Sequence, residues 1–69
     1  KYVLSPMPGL LVEVPVVVGQ KVMAGEKVAV IEAMKMENVL FASEDSVVSK
    51  ILAMKGESLS VDQPIIEFS

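Results

Sequence analysis

Sixty-nine residues suffice for one small domain, of a size that buries only about 60% of the surface its unfolded chain would expose. With no cysteine and no histidine there is neither a disulfide staple nor the usual zinc ligands, so packing of the 52% hydrophobic residues must hold the fold. Six lysines, no arginine and nine acidic residues leave a net charge of -3, which argues against nucleic acid as a partner; the longest apolar stretch, Val14 to Val18, falls far short of the roughly 20 residues that a membrane-spanning helix needs.

Short runs rich in valine and isoleucine, punctuated by glycine, proline and acidic turns, indicate strands throughout. The first is Tyr2 to Leu4. It is followed by "SPMPG" at 5–9, a stiff connection in which Pro6 and Pro8 protect an edge from pairing with other chains. The second strand is expected over 10–17, with Pro15 marking an end, an edge or a bulge. Gly19 turns the chain into a third strand at 20–23, and Gly25 into a fourth at 27–32. After 33–36 a fifth strand covers 37–42. A sixth follows over 46–54, Gly56 leads to a seventh over 58–61, and Pro64 opens the eighth at 64–68. Met23 and Met54 read as core fillers, the four glycines as turn or bulge residues, and Glu13, Glu26, Glu57, Lys21 and Lys50 as solvated faces. The chain opens on Lys1 and shows no signal-peptide pattern, so residues 1–69 are expected to be one soluble domain of a larger subunit. The lack of cysteine is compatible with a reducing compartment.

A shift of 37 residues lays "VGQKVMAGEKVAVIE" from Val18 over "KGESLSVDQPIIEFS" from Lys55. Gly19 falls on Gly56, Val22 on Leu59, Val28 on Ile65, Ala29 on Ile66 and Ile31 on Phe68. The expected fold is all-β, a flattened eight-strand barrel or sandwich of two four-strand units related by an approximate two-fold axis. Neither unit could bury its apolar face alone. Position 35 maps just beyond both chain ends, which places Lys35 and the termini at opposite ends of the domain.

Between the fourth and fifth strands lies "VIEAMKMEN", Val30 to Asn38. With Met34 and Lys35 as the central turn residues, Ala33 faces Met36, Glu32 faces Glu37, Ile31 faces Asn38 and Val30 faces Val39. Two-residue hairpin loops favour Asn-Gly or Asp-Gly, because positive φ is needed at one or both central positions. Opposed carboxylates are also unfavourable, within the roughly 0.2 to 1 kcal/mol span of cross-strand pairs. Violations clustered this tightly point to a functional site. The tip is too narrow to hold a core, so Met34 and Met36 read as an exposed, adaptable recognition surface around Lys35.

"EAMKMEN" at 32–38, with "SPMPG" at 5–9, "GEKVAVI" at 25–31 and "DQPIIEF" at 62–68, resembles the biotinyl domain of biotin-dependent carboxylases, the biotin carboxyl carrier family. The likeness covers essentially the whole chain. It implies that the ε-amine of Lys35 forms an amide with biotin, that Met34 and Met36 flank it as recognition residues, and that the chain is a non-catalytic carrier with no metal. In that family a carboxyl group passes from a biotin carboxylase site, with ATP and bicarbonate, to a carboxyltransferase site. An ordinary lysine is neutral in only about 0.04% of molecules at pH 7 and does not usefully acylate itself; the resemblance implies loading by a biotin protein ligase, with Glu32 and Glu37 as candidates for meeting a basic ligase surface. The short Val14 to Gly19 connection leaves no room for a protruding thumb. The sequence is therefore nearest the thumbless type found in acyl-CoA carboxylase α subunits such as that of propionyl-CoA carboxylase, in bacterial cytoplasm or mitochondrial matrix. Ser46 departs from the family's usual Asp-Gly-Val, which puts a turn at 45–46 in question. Two alternatives stand beside this reading: a lipoyl carrier domain, which typically has an acidic residue where Met34 stands, and an unmodified interaction domain of the same fold.

Overall fold

The computed structural model describes residues 1–69, all of the chain. Eight strands and no helix are present: β1 (Tyr2–Leu4), β2 (Gly9–Glu13), β3 (Lys21–Val22), β4 (Lys27–Ala33), β5 (Met36–Phe41), β6 (Ser46–Ile51), β7 (Ser58–Leu59) and β8 (Pro64–Phe68). No helix is long and apolar enough to cross a membrane. The strands form two antiparallel sheets, ordered β1-β8-β6-β3 and β5-β4-β2-β7.

The 37-residue offset relates one sheet to the other. It takes β1 to β5, β2 to β6, β3 to β7 and β4 to β8, so the order β5-β4-β2-β7 becomes β1-β8-β6-β3. Because β1 pairs with β8 and β3 with β6, and likewise β5 with β4 and β7 with β2, each half lends two strands to the sheet of the other. Packing follows the same rule. Of the 15 buried residues, 14 fall into seven pairs 37 apart: Ser5–Ala42, Leu11–Val48, Val16–Ala53, Val22–Leu59, Val28–Ile65, Ala29–Ile66 and Ile31–Phe68. Val30 alone lacks a buried mate, since its counterpart Glu67 is half-buried. One core is thus assembled from two copies of one pattern, which is why neither half can close by itself.

The turns repeat as well, and they correct part of the sequence reading. Gly19 and Gly56 have φ of 91° and 93°; Gly25, at 88°, is matched by Asp62 at 64°, a residue type enriched in the left-handed region. In the first half Glu26 Oε1 accepts from the Met23 amide at 3.0 Å and Gln20 Oε1 from the Val17 amide at 3.1 Å. In the second, Gln63 Oε1 accepts from the Ser60 amide at 2.9 Å and Glu57 Oε1 from the Met54 amide at 3.0 Å. The Gln20 side chain donates to Glu26 at 3.4 Å and that of Gln63 to Glu57 at 3.0 Å, so amide and carboxylate exchange places between halves. Glu26 and Glu57 are therefore half-buried turn clamps, not solvated faces. Met23 and Met54 sit on the turns so clamped with their side chains outward, 66% and 75% exposed, and do not fill the core.

Strand ends also differ from expectation. β2 stops at Glu13, not 17, because a bulge between Leu11 and Glu13 interrupts its pairing with β4 and Pro15 has no amide to donate. β6 stops at Ile51, not 54, as the chain enters the turn closed by the Glu57 amide on the Met54 carbonyl at 3.0 Å. Only two residues of β3 and two of β7 are paired, fewer than expected. Ser46 opens β6 without positive φ, so no glycine is required there. Asp45 organises the preceding turn by accepting from the Ala24 amide at 2.9 Å.

Candidate functional site

The β4–β5 hairpin has the register Val30↔Val39, Ile31↔Asn38, Glu32↔Glu37 and Ala33↔Met36, leaving Met34 and Lys35 as a two-residue loop. Register is pinned from below, because Val28, Ala29, Val30 and Ile31 are all buried and a slip of one residue would turn Ile31 outward. Met34 and Lys35 both have positive φ, 54° and 66°. That is the condition of a type I′ turn, met here without Asn or Gly. Non-glycine residues in this region cost on the order of 1 kcal/mol or more each. Relief at one of them is measurable: Met34→Asn, which supplies a residue suited to that backbone, should stabilise the chain by about 1 kcal/mol and raise its thermal midpoint by roughly 4–8 °C. A melt followed by circular dichroism that shows no gain would mean the turn is not strained at Met34.

At the tip Met34 is 93% and Met36 67% exposed, and Lys35 is exposed between them. Two lysines make ion pairs elsewhere, Lys1 with Glu44 and Lys27 with Glu13. Lys35 makes none, and its ammonium has no hydrogen-bond acceptor. Glu32 and Glu37 are exposed and directly opposed on the second pair from the turn, with no cation bridging them. The pair that closes a two-residue loop is hydrogen-bonded, so this next one is of the open kind in which side chains stand closest. The structure therefore brings all five residues singled out in the sequence to one projecting tip.

One cleft of about 620 Å³ runs between the edges β1 and β5 and includes Tyr2, Leu4, Val39 and Phe41; another of about 510 Å³ lies beside Lys21, Met23 and Asp45. Neither reaches residues 34–36. No group of three His, Cys, Asp or Glu is placed to hold a metal ion. The chain start lies away from the tip: Lys1 pairs with Glu44, beyond the far end of β5, and exchanges backbone hydrogen bonds with Phe68.

Two features of the site escaped the sequence reading. Gly9 is packed against the base of the hairpin, where it serves close approach and no turn. The tripeptide Ala-Met-Lys also occurs a second time, at 53–55, on the turn before β7. Simple self-comparison would have shown the latter; nothing local distinguishes Gly9 from the turn glycines.

A two-fold sandwich that projects an unpaired lysine on a strained turn, with no enclosed pocket beneath it, has the architecture of a carrier domain. The family described as "Biotin-requiring enzyme", with its biotin and lipoyl attachment domain, matches residues 1–68. The propionyl-CoA carboxylase alpha chain of Ruegeria pomeroyi is 56% identical over 68 residues, 99% of this chain and 10% of that one. The mitochondrial propionyl-CoA carboxylase alpha chain of Homo sapiens is 36% identical over 63 residues, 91% of this chain and 9% of that one. A solved single-chain, multi-domain long-chain acyl-CoA carboxylase superimposes with a TM-score of 0.95 at 29% identity, covering 100% of this chain and 7% of that one. The chain thus spans about a tenth of the length of these two sequence relatives. It belongs to the biotin and lipoyl attachment family, as a biotin carboxyl carrier domain whose cofactor is covalently held biotin.

Proposed function

We propose that Lys35 is the attachment residue, through an amide between its ε-amine and the biotin carboxyl, and that the loaded domain serves a biotin-dependent acyl-CoA carboxylase of the propionyl-CoA carboxylase type. The observation that carries this reading is the exposed, unpaired Lys35 held at the centre of a left-handed turn between Met34 and Met36. The residues present fit the group, since an amine engaged with no neighbour gives up nothing when it is acylated, and acylation takes the net charge from -3 to -4. Bound biotin supplies a ureido nitrogen that accepts and releases a carboxyl group. The chain supplies presentation: a short hairpin carries the arm, and the chain ends are remote from it. Tethered delivery raises effective concentrations to the order of mM when arm and linker span the sites. Its partners on this reading are a biotin protein ligase and the biotin carboxylase and carboxyltransferase sites of the parent enzyme, in bacterial cytoplasm or mitochondrial matrix.

Co-expression with a biotin protein ligase, intact-mass measurement and peptide mapping test the assignment. One biotin on Lys35 is the expected result. A lipoyl adduct would select the competing carrier class, and no adduct would leave an unmodified interaction domain.

Met34 and Met36 offer the ligase soft apolar contacts. Glu32 and Glu37 are the acidic part of the same surface, kept together at a cost to the fold because a basic ligase surface meets them. The variant Glu32→Gln/Glu37→Gln should therefore fold more stably, by a few tenths of a kcal/mol up to about 1, while its biotinylation slows and loses salt dependence. Unaltered biotinylation kinetics in a more stable variant would remove the carboxylates from the recognition surface.

A further inference from the structure

Gly19, Gly25 and Gly56 hold positive φ over open space, where an added Cβ would meet nothing within 4 Å. Gly9 differs. Its φ is ordinary, yet a Cβ there would lie 2.6 Å from Ile31 Cγ2, 2.8 Å from the Glu32 carbonyl oxygen and 3.3 Å from Ala33 Cβ. Neither of the two nearest atoms can step aside. Ile31 is fully buried, and the Glu32 carbonyl belongs to β4, which is paired with β2 on one side and β5 on the other. Gly9 cannot easily retreat either. Ser5, buried four residues earlier, donates its amide to Gln63 O at 2.9 Å, accepts from the Asp62 amide at 2.7 Å and donates its hydroxyl to Met7 O at 2.6 Å. A side chain at position 9 would therefore displace β4 three residues before Lys35.

The repeat contains its own comparison. The residue 37 positions on is Ser46, which begins β6 in the other sheet and carries a Cβ. The sandwich accommodates a side chain at this place in the half that has no projecting hairpin. Lack of one is used where β4 continues into the tip.

We propose that Gly9 is a positioning residue for Lys35: by letting the start of β2 press against Ile31–Ala33, it fixes the direction in which the hairpin leaves the sandwich and hence where the amine stands in the ligase. This rests on Lys35 being the residue modified. The test is the steady-state biotinylation of the intact chain and of Gly9→Ala by a biotin protein ligase at saturating ATP and biotin. A residue that merely supports folding would leave a fraction of the chain incompetent, raising apparent KM by the reciprocal of the folded fraction with kcat unchanged. A positioning residue lowers kcat instead, by roughly tenfold to a hundredfold for a displacement near 1 Å, with little change in KM. Should Gly9→Ala fold poorly, Gly9→Ala/Ile31→Leu removes the Cγ2 contact and keeps the one to the Glu32 carbonyl. Its melting temperature should recover while kcat stays depressed. Recovery of kcat together with the melting temperature, or a Gly9→Ala chain with wild-type kcat, would overturn the positioning role alone. A wild-type chain that takes no biotin at Lys35 would overturn that role and the attachment assignment together.

Discussion

Lys35→Arg is expected to abolish biotin incorporation, and to do so without passing the reaction to Lys55, although Lys55 ends an identical Ala-Met-Lys tripeptide. The two tripeptides differ in backbone. At the tip, Met34 and Lys35 both have positive φ, while in the second turn the positive φ falls on Gly56, one residue past the lysine. The 53–55 copy is also held down from both ends: Ala53 is fully buried, the Met54 amide donates to Glu57 Oε1 at 3.0 Å, and the Glu57 amide closes the turn on the Met54 carbonyl at 3.0 Å. Lys55 thus stands on a clamped turn against the body of the sandwich, while Lys35 stands clear of it. Arginine keeps the charge and length of the tip but cannot form the amide. Peptide mapping of Lys35→Arg after prolonged incubation with ligase should show both positions unmodified. Biotin at Lys55 would mean that the ligase reads the tripeptide and not the projecting turn.

The parts legible in the sequence share a cause, since each follows from a repeat or from a turn that fixes its flanks. The 37-residue offset anticipated the pairing of buried residues, and a two-residue loop at Met34 and Lys35 set the register from Val30↔Val39 to Ala33↔Met36. Turn chemistry was legible at the tip only as a conflict: Met-Lys in a place that needs positive φ. What escaped notice depends on through-space partners. The hydropathy of Met23 and Met54 gives no sign that carboxylates at Glu26 and Glu57 seize their amides and leave the thioethers outside. Nor does any glycine announce whether it serves for φ or for space; Gly9 is set apart only by Ile31 and the Glu32 carbonyl, on a strand more than 20 residues away. The ends of β2 and β6 were overextended because valine and isoleucine runs continue past the point where a bulge, a proline or a turn ends the ladder.

Ile66→Ala should produce the largest loss of stability among these predictions, and Phe41→Ala, though it removes a larger side chain, one of the smallest. Ile66 is 0% exposed in the middle of β8, between Val3 of β1 and Ile51 of β6. Truncating such a residue costs about 2–5 kcal/mol, counting the cavity left behind. At roughly 0.05–0.15 kcal/mol per residue a domain of this size holds only about 3–10 kcal/mol in all, so the midpoint should fall by roughly 10–40 °C. Phe41 is 57% exposed on the edge strand β5, and its loss should stay within about 1 kcal/mol. Thermal and urea denaturation of both variants decide the matter; equal shifts would show that the core is not where the buried pairs place it. The tip draws on this same reserve. Its two left-handed residues and opposed carboxylates weigh against folding on the order of 2 kcal/mol, and only the buried pairs beneath can offset that. Adding Met34→Asn to Ile66→Ala should therefore return about 1 kcal/mol, close to the full effect of Met34→Asn alone, because the exposed tip residue lies in the loop between β4 and β5 and the buried one in β8 of the other sheet.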